Sequence, residues 1–162
     1  MNIIFAIPLL LSCLSNGRDM SSCEAVNNIF ATTPFKVGKV TPSEMEQAFR
    51  REFEIQKVVV KNQFSNLLDT LIEYKSAKLV VVFYKGREAI FINSATIEDK
   101  DVLFAGGFNI EDMRDKIDKA LNLDLDLRCD TIFVTDDEHF SNHRLIFEKN
   151  RLRKVILDFG LN

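Results

Sequence analysis

Two apolar runs joined by a glycine-containing turn, at residues 78–93, constrain the fold of this chain more than any other feature. The first run, from Leu79 to Phe83, contains no polar residue, and Gly86 lies in the turn before the second run. This arrangement is typical of a β-hairpin. A strand with two apolar sides has to be covered on both, so we expect it in the interior of a sheet.

Three segments have the signatures of helices. Residues 41–44 read Thr-Pro-Ser-Glu, a capping box with proline at the first helical position, which predicts a helix over residues 42–52. Apolar residues at helical spacing predict a second helix over residues 62–75, with Asn62 as its cap. Asn109 is the expected cap of a third helix that reaches Leu121.

The remaining apolar segments predict strands. They lie at residues 55–60, 102–104, 123–134, 145–147 and 155–159, and the last two form a second hairpin that turns near Lys149 and Asn150. Hairpins therefore outnumber βαβ units. This balance predicts an α+β two-layer sandwich, with about three helices on one face of a mostly antiparallel sheet. A doubly wound α/β fold is the alternative.

Residues 1–17 differ from the rest of the chain. An uncharged apolar run is followed by small residues, and the first charge is Arg18. The segment resembles a secretory signal peptide, and it is shorter than the roughly 20 residues that a membrane-spanning helix needs. The alternatives are an N-terminal element packed on the core, or translation that begins at Met20.

Residues 10–13, Leu-Leu-Ser-Cys, resemble a bacterial lipobox, in which Cys13 would be lipidated and become the mature N-terminus. Ordinary cleavage near Ser15 or Gly17 is the alternative. Residues 18–39 are expected to be a tether that docks Ile29, Phe30 and Phe35 on a single domain at residues 40–162. The protein would then be exported to the periplasm or cell envelope, with its N-terminus in or near the membrane.

The cysteines fit this interpretation. The chain has 3 of them, Cys13, Cys23 and Cys129, and only the last two remain once Cys13 is removed or lipidated. Exported proteins with two cysteines often bridge them, which predicts a disulfide between Cys23 and Cys129. A cytosolic protein would instead keep two unpaired thiols.

The composition excludes some partners. A net charge of −3 gives no global positive field, so we expect no nucleic-acid partner. The chain has 14 Phe but 2 Tyr and no Trp. Phenylalanine has no polar atom, so most of these rings should lie in the core rather than form a binding platform.

Two groups of residues are candidates for binding sites. Carboxylate and imidazole side chains that suit a metal ion lie close together at Asp136, Asp137, Glu138, His139 and His143. Basic side chains that suit an acidic partner or lipid headgroups surround the last hairpin, at Arg144, Arg151, Arg153 and Lys154. The alternatives are a solvated loop for the first group and charges that protect an edge strand for the second.

No catalytic residue and no cofactor is predicted, because the chain lacks a Gly-x-Ser-x-Gly elbow and an acid isolated in an apolar run. We therefore expect a non-enzymatic, exported module of a bacterial envelope that binds another protein, of the inhibitor, immunity or assembly-accessory type. The alternatives are a metal-dependent hydrolase that uses residues 136–143 and a cytosolic interaction domain that begins at Met20.

Overall fold

The computed structural model describes residues 23–62, 67–123 and 129–160. The strands are β1 (Glu24–Val26), β2 (Glu54–Lys61), β3 (Leu68–Lys75), β4 (Leu79–Lys85), β5 (Ile90–Ile97), β6 (Thr131–Thr135), β7 (Asn142–Glu148) and β8 (Arg151–Asp158). The helices are α1 (Asn28–Thr32), α2 (Met45–Phe49), which follows a 3₁₀ turn at Pro42–Glu44, and α3 (Arg114–Leu121).

The strands form one 8-stranded sheet in the order β1-β6-β7-β8-β5-β4-β3-β2. Neighbouring strands are antiparallel, except β1 and β6, which are parallel. The predicted α+β class is therefore confirmed in its broad form. The fold is not a clear two-layer sandwich, because α1 and α2 have 5 residues each and α3 has 8, too few for a continuous helical layer.

The predicted central hairpin is confirmed as β4 and β5. The side chains of Leu79, Val81 and Phe83 are fully buried on one face of the sheet. Val80 and Val82, on the other face, are only half-buried. We expected both sides of this strand to be covered. One side is fully covered, and the other is only partly covered.

Aromatic rings form much of the core on the covered face, as the composition predicts. Neighbouring ring centroids are 5.2 to 6.4 Å apart along a continuous chain of contacts. This series of ring contacts includes, in order, His143, Phe30, Phe104, Phe35, Phe49, Phe53, Tyr74 and Phe83. It connects β7 at one side of the sheet to β3 and β4 at the other.

The helix predicted over residues 62–75 is wrong. This region contains the residue after β2, then β3, which pairs with β2 on one side and β4 on the other. Leu71 and Ile72 then lie on opposite faces, and Leu68 is exposed. The helical spacing of these residues is overridden by strand pairing, because propensity is weaker than tertiary context.

The other two predicted helices are present but shorter. The first ends after Phe49, where Arg50 adopts a left-handed conformation. The third begins at Arg114 rather than directly after Asn109. The intervening backbone is held to β8 instead, since the N–H of Glu111 donates to the carbonyl of Leu152 over 2.7 Å.

The N-terminal part of the described chain is folded onto the sheet through β1 and α1. Phe30 and Phe35 are buried as predicted, whereas Ile29 is exposed. Residues 102–104, predicted as a strand, form only an isolated bridge from Phe104 to Phe35. The predicted leader with Cys13, the start of the tether and residues 124–128 lie outside the described residues.

Candidate protein-interaction edge

The strand β2 is the last strand of the sheet and pairs with β3 along its whole length. Its apolar side chains are exposed on both faces: Ile55 by 48%, Val58 by 46% and Val59 by 63%. In the adjacent β3, Leu68 is 71% exposed. A long edge strand with exposed apolar side chains is a template for pairing with another chain.

The register of β2 shows which backbone groups are available at this edge. The N–H of Asn62 donates to the carbonyl of Leu67 over 3.0 Å, so Asn62 faces β3. Residues alternate along an antiparallel pair, and β2 shows no register shift. The outward N–H and C=O groups therefore belong to the odd-numbered residues Ile55, Lys57, Val59 and Lys61.

The opposite edge of the sheet is different. There β1 has 3 residues, and the chain turns directly into α1 after it. The carbonyl of Cys23, just before β1, accepts a hydrogen bond from Phe133, and Cys23 is paired with Cys129. Short, tethered edge strands offer little backbone for pairing. Among the described strands, β2 is the one with a long open edge.

A polar cluster around the buried carboxylate of Asp69 joins the end of β2 to β3 and β4. The carboxylate of Asp69, which is 4% exposed, accepts hydrogen bonds from the Asn62 amide and the Tyr84 hydroxyl. The Asn62 amide also lies 3.1 Å from the Tyr84 hydroxyl. The hydrogen bond to Asp69 raises the pKa of Tyr84. Because these side chains come from the residue that follows β2, from β3 and from β4, they join the end of the open edge to the two neighbouring strands.

The cysteine pair is placed as predicted. Cys23 and Cys129 are separated by 106 positions in the sequence, and their Cα atoms lie 5.7 Å apart, within the range of disulfides. The Cys129 carbonyl accepts a hydrogen bond of 2.6 Å from the buried guanidinium of Arg114. That guanidinium also lies 5.3 Å from the ring centre of Phe147. The crosslink thus joins the N-terminal segment to a packed part of the core.

The structure does not bring the five predicted metal ligands together. His139 is exposed in the turn between β6 and β7, with a φ of 58°, whereas His143 is fully buried. Asp137 and Glu138 are exposed, and the N–H of Asp137 donates to Asn28. Within the described ranges, no group of three or more His, Cys, Asp or Glu side chains could hold a metal ion.

Asp136 organises this turn rather than facing outward. Its carboxylate accepts hydrogen bonds from the Ser141 hydroxyl and from the N–H groups of Phe140 and Ser141. Partial burial raises the pKa of Asp136, but these hydrogen bonds outweigh it and lower the pKa to about 2. The carboxylate is therefore a structural acceptor within the turn.

Two of the four predicted basic residues, Arg153 and Lys154, are paired with acids. Arg153 lies 3.5 Å from Glu148, and Lys154 lies 2.8 Å from Glu98. Arg151 donates to the carbonyl of Glu111 over 3.0 Å. Arg144 is exposed on β7 without an ion pair in the part of the chain that the structure describes. These ion pairs compensate two of the four positive charges around the last hairpin.

A mostly apolar cleft of about 270 Å³ lies between the segment after α1 and the start of β5. Phe35, Val40, Ile90 and Phe159 contribute to its walls, and Lys39 is the one titratable side chain among its described lining residues. A single exposed lysine does not provide an acid and a base for catalysis. No helix in the described ranges is long and apolar enough to cross a membrane.

No family model, curated protein or solved structure matches this chain. The candidate edge therefore rests on the residues themselves. The sequence predicts β2 as a strand but does not indicate that it is an edge. The available signal is the pattern Lys57-Val-Val-Val-Lys61, since lysines that flank β-branched residues are common on edge strands.

Proposed function

We propose that this protein is an exported, non-enzymatic module of a bacterial envelope that binds another protein by adding an extended segment of that partner to β2. The observation that carries the proposal is the open edge of β2, with outward backbone groups at Ile55, Lys57, Val59 and Lys61 and exposed apolar side chains on both faces. Strand addition supplies main-chain hydrogen bonds for affinity and alternating side-chain contacts for specificity. Inhibitor, immunity and assembly-accessory proteins can all work through such an edge.

Two observations support export. Residues 1–17 have the pattern of a secretory leader, and Cys23 and Cys129 are placed to form a disulfide. Disulfides persist in oxidising compartments such as the periplasm. Lipidation of Cys13 would attach the domain to a membrane through the segment that precedes Cys23.

Intact mass and N-terminal sequencing of the protein from its own host test export. Loss of the leader, with either a lipidated Cys13 or a new N-terminus near Ser15 or Gly17, is the expected result, together with no free thiol. A product that retains Met1, or one that begins at Met20 with free thiols, would contradict export.

Site-specific photocrosslinking in the host tests binding through the edge. A photoreactive amino acid replaces Gln56 on β2 in one strain and Gln47 on α2 in another, because both positions are exposed glutamines. We expect a discrete adduct from position 56 and none from position 47. If position 56 gives no adduct, strand addition at β2 is wrong.

The substitution Val59→Pro tests whether the adduct depends on main-chain hydrogen bonds at this edge. Its N–H points away from β3, so proline removes a group that a partner would use and no hydrogen bond of the β2–β3 pair. We expect the adduct from position 56 to disappear in this variant while its unfolding midpoint stays close to that of the parent. An adduct that persists would contradict main-chain pairing at this edge.

A further inference from the structure

The two faces of β2 differ in charge, and this difference restricts which strand can be added. The register places Lys57 opposite Ile72, whose side chain is buried on the core-facing side of the sheet. Lys57, Val59 and Lys61 therefore project on that same side, and all three side chains are exposed. Both lysines are exposed, and neither is in an ion pair within the described residues.

No acid on the neighbouring strands compensates these charges on the core-facing side. The positions of β3 on this side are Leu68, Thr70, Ile72 and Tyr74, and those of β4 are Leu79, Val81, Phe83 and Lys85. Acidic residues of this hairpin, such as Glu54 and Glu73, project on the other side. On the strands of this edge, the charged side chains on the core-facing side are therefore all basic, Lys57, Lys61 and Lys85, although the whole chain has a net charge of −3. The acid that acts on this side comes from α2, where Glu46 interacts electrostatically with Tyr74.

Pairing between two copies of β2 is opposed by these lysines. A two-fold axis normal to the sheet pairs residues whose numbers add to an even sum, because paired residues must project on the same side. When the axis passes through any residue from Gln56 to Val60, Lys57 or Lys61 of one copy lies directly or diagonally opposite a lysine of the other copy. Lysines on edge strands commonly prevent self-association in this way.

We propose that the segment added to β2 is an extended, acidic, β-branched stretch of a partner protein, and this inference rests on the proposed function. Its acids lie at positions i and i+4 on the core-facing side, opposite Lys57 and Lys61. The position between them is apolar and covers Val59. On the other side its β-branched residues cover Val58 and Val60, since Val58 is 46% exposed and Val60 is half-buried.

Three capped peptides test the inference by titration against the full chain. The acidic peptide is Thr-Glu-Val-Val-Val-Glu-Thr, the neutral peptide has glutamine at both glutamate positions, and the third peptide has the sequence of residues 56–62, Gln-Lys-Val-Val-Val-Lys-Asn. Two cross-strand ion pairs predict that the acidic peptide binds roughly three- to tenfold tighter than the neutral one at low salt. The preference should shrink at 1 M salt. The lysine peptide should bind most weakly.

Charge-reversed variants identify the lysines that set this preference. The double substitution Lys57→Glu with Lys61→Glu should reverse the order, so that the lysine peptide binds tightest. Lys36→Glu with Lys39→Glu makes the same change of net charge at exposed positions away from β2, and it should leave the order unchanged. An unchanged order in the first variant would overturn the inference.

The outcomes separate this inference from the proposed function. If the acidic and neutral peptides bind equally and Val59→Pro weakens both, strand addition stands and the acidic specificity is wrong. If no peptide binds, or if binding is unaffected by both Val59→Pro and N-methylation of alternate peptide nitrogens, both proposals are wrong. If the lysine peptide binds tightest to the parent protein, or the parent dimerises through β2, the partner is a second copy and the inference is overturned.

Discussion

The Nε2 atom of His143 lies 2.9 Å from the carbonyl oxygen of Ala31, so a buried imidazole on β7 fastens the end of α1 to the sheet. Its other nitrogen, Nδ1, accepts a hydrogen bond of 3.1 Å from the N–H of Asp158. This pair of partners requires the neutral ring with its proton on Nε2. Burial lowers the pKa of His143 despite the nearby carboxylates of Asp158 and Asp136, which raise it.

We expect the protein to lose stability in mild acid because of His143. The unfolded chain binds a proton near pH 6.5, whereas the folded chain resists it. The contribution of His143 to the free energy of unfolding should therefore be constant above about pH 6.5. It should fall by up to about 1.4 kcal/mol per pH unit below that value, until the lowered pKa of the folded state is reached. Urea unfolding at a series of pH values measures this dependence.

The second histidine supplies the control. His139→Gln, at an exposed position, should leave the slope between pH 6.5 and 5 unchanged. His143→Gln should lower stability at neutral pH and flatten the slope. Equal slopes in the two variants would show that another group causes the acid sensitivity.

Asp136 should titrate far below an ordinary aspartate because of Ser141. Its pKa of about 2 depends first on the Ser141 hydroxyl among the hydrogen bonds that lower it. Ser141→Ala should therefore raise the pKa of Asp136 towards the ordinary value of 3.8, as measured by carbon NMR of the side-chain carboxyl. The contribution of this ionised group to stability is present above pH 3.8 and is lost as the pH falls towards 2.

Glu44 is an internal reference for that titration. Its pKa is lowered by the hydrogen bond from the Thr41 side chain. Thr41 and Glu44 are far from Ser141 in the sequence. The Ser141→Ala substitution should leave the titration of Glu44 where it is in the parent protein. If the Asp136 titration does not move, the turn is held by its backbone hydrogen bonds alone.

Much of the fold follows from patterns within short segments. The central hairpin and the second hairpin are predicted correctly, since each has two β-type runs around a turn, and both turn residues of the second, Lys149 and Asn150, have positive φ. The capping box at residues 41–44 is also correct, because the N–H of Thr41 donates to the Glu44 carboxylate over 3.0 Å. These features depend on residues that are close in sequence.

The predictions fail where the structure of a segment depends on residues that are distant in sequence. Residues 67–75 satisfy a helical stripe, but the neighbouring β2 and β4 supply backbone partners that a helix would forgo. The exposure of the β2 edge depends on the order of strands in the sheet, which no local pattern contains. The burial of His143 likewise depends on α1, which lies more than a hundred residues away in sequence.

Reduction of the Cys23–Cys129 pair should destabilise the protein strongly. A crosslink that closes a loop of this length is worth about 4–5 kcal/mol in the chain-entropy model, and engineered cases often give less. Urea unfolding of the oxidised protein, the reduced protein and the double variant Cys23→Ser with Cys129→Ser measures the effect. Intact mass should rise by about two hydrogens on reduction.

Hydrogen exchange locates the effect of the crosslink. The N–H of Phe133 donates to the carbonyl of Cys23 over 2.9 Å and should exchange faster once the thiols are reduced. The amides of β4, an interior strand five positions away from β1 in the sheet, should keep their relative protection. Free thiols in the native protein, with unchanged stability on reduction, would contradict the crosslink and weaken the case for export.

The hydroxyl of Tyr84 should be needed to hold the β2 edge in place. Tyr84→Phe removes one of the two side-chain donors that the described residues provide to the buried Asp69 carboxylate, which then keeps the bond from the Asn62 amide. The loss of a hydrogen bond to a buried charged acceptor is costly. We expect a lower unfolding midpoint and faster hydrogen exchange at Asn62, whose N–H closes the end of β2. Tyr74→Phe is the matched control, because the Tyr74 ring packs between Phe53 and Phe83.

The two variants differ in what they should do to the edge. Tyr74→Phe keeps the ring contacts and should leave exchange at Asn62 unchanged, whereas Tyr84→Phe should increase it. The acidic peptide should then bind the Tyr84→Phe variant more weakly, because a mobile edge has to be ordered before a strand can pair with it. If both variants exchange and bind like the parent protein, the Asn62–Asp69–Tyr84 cluster does not position β2.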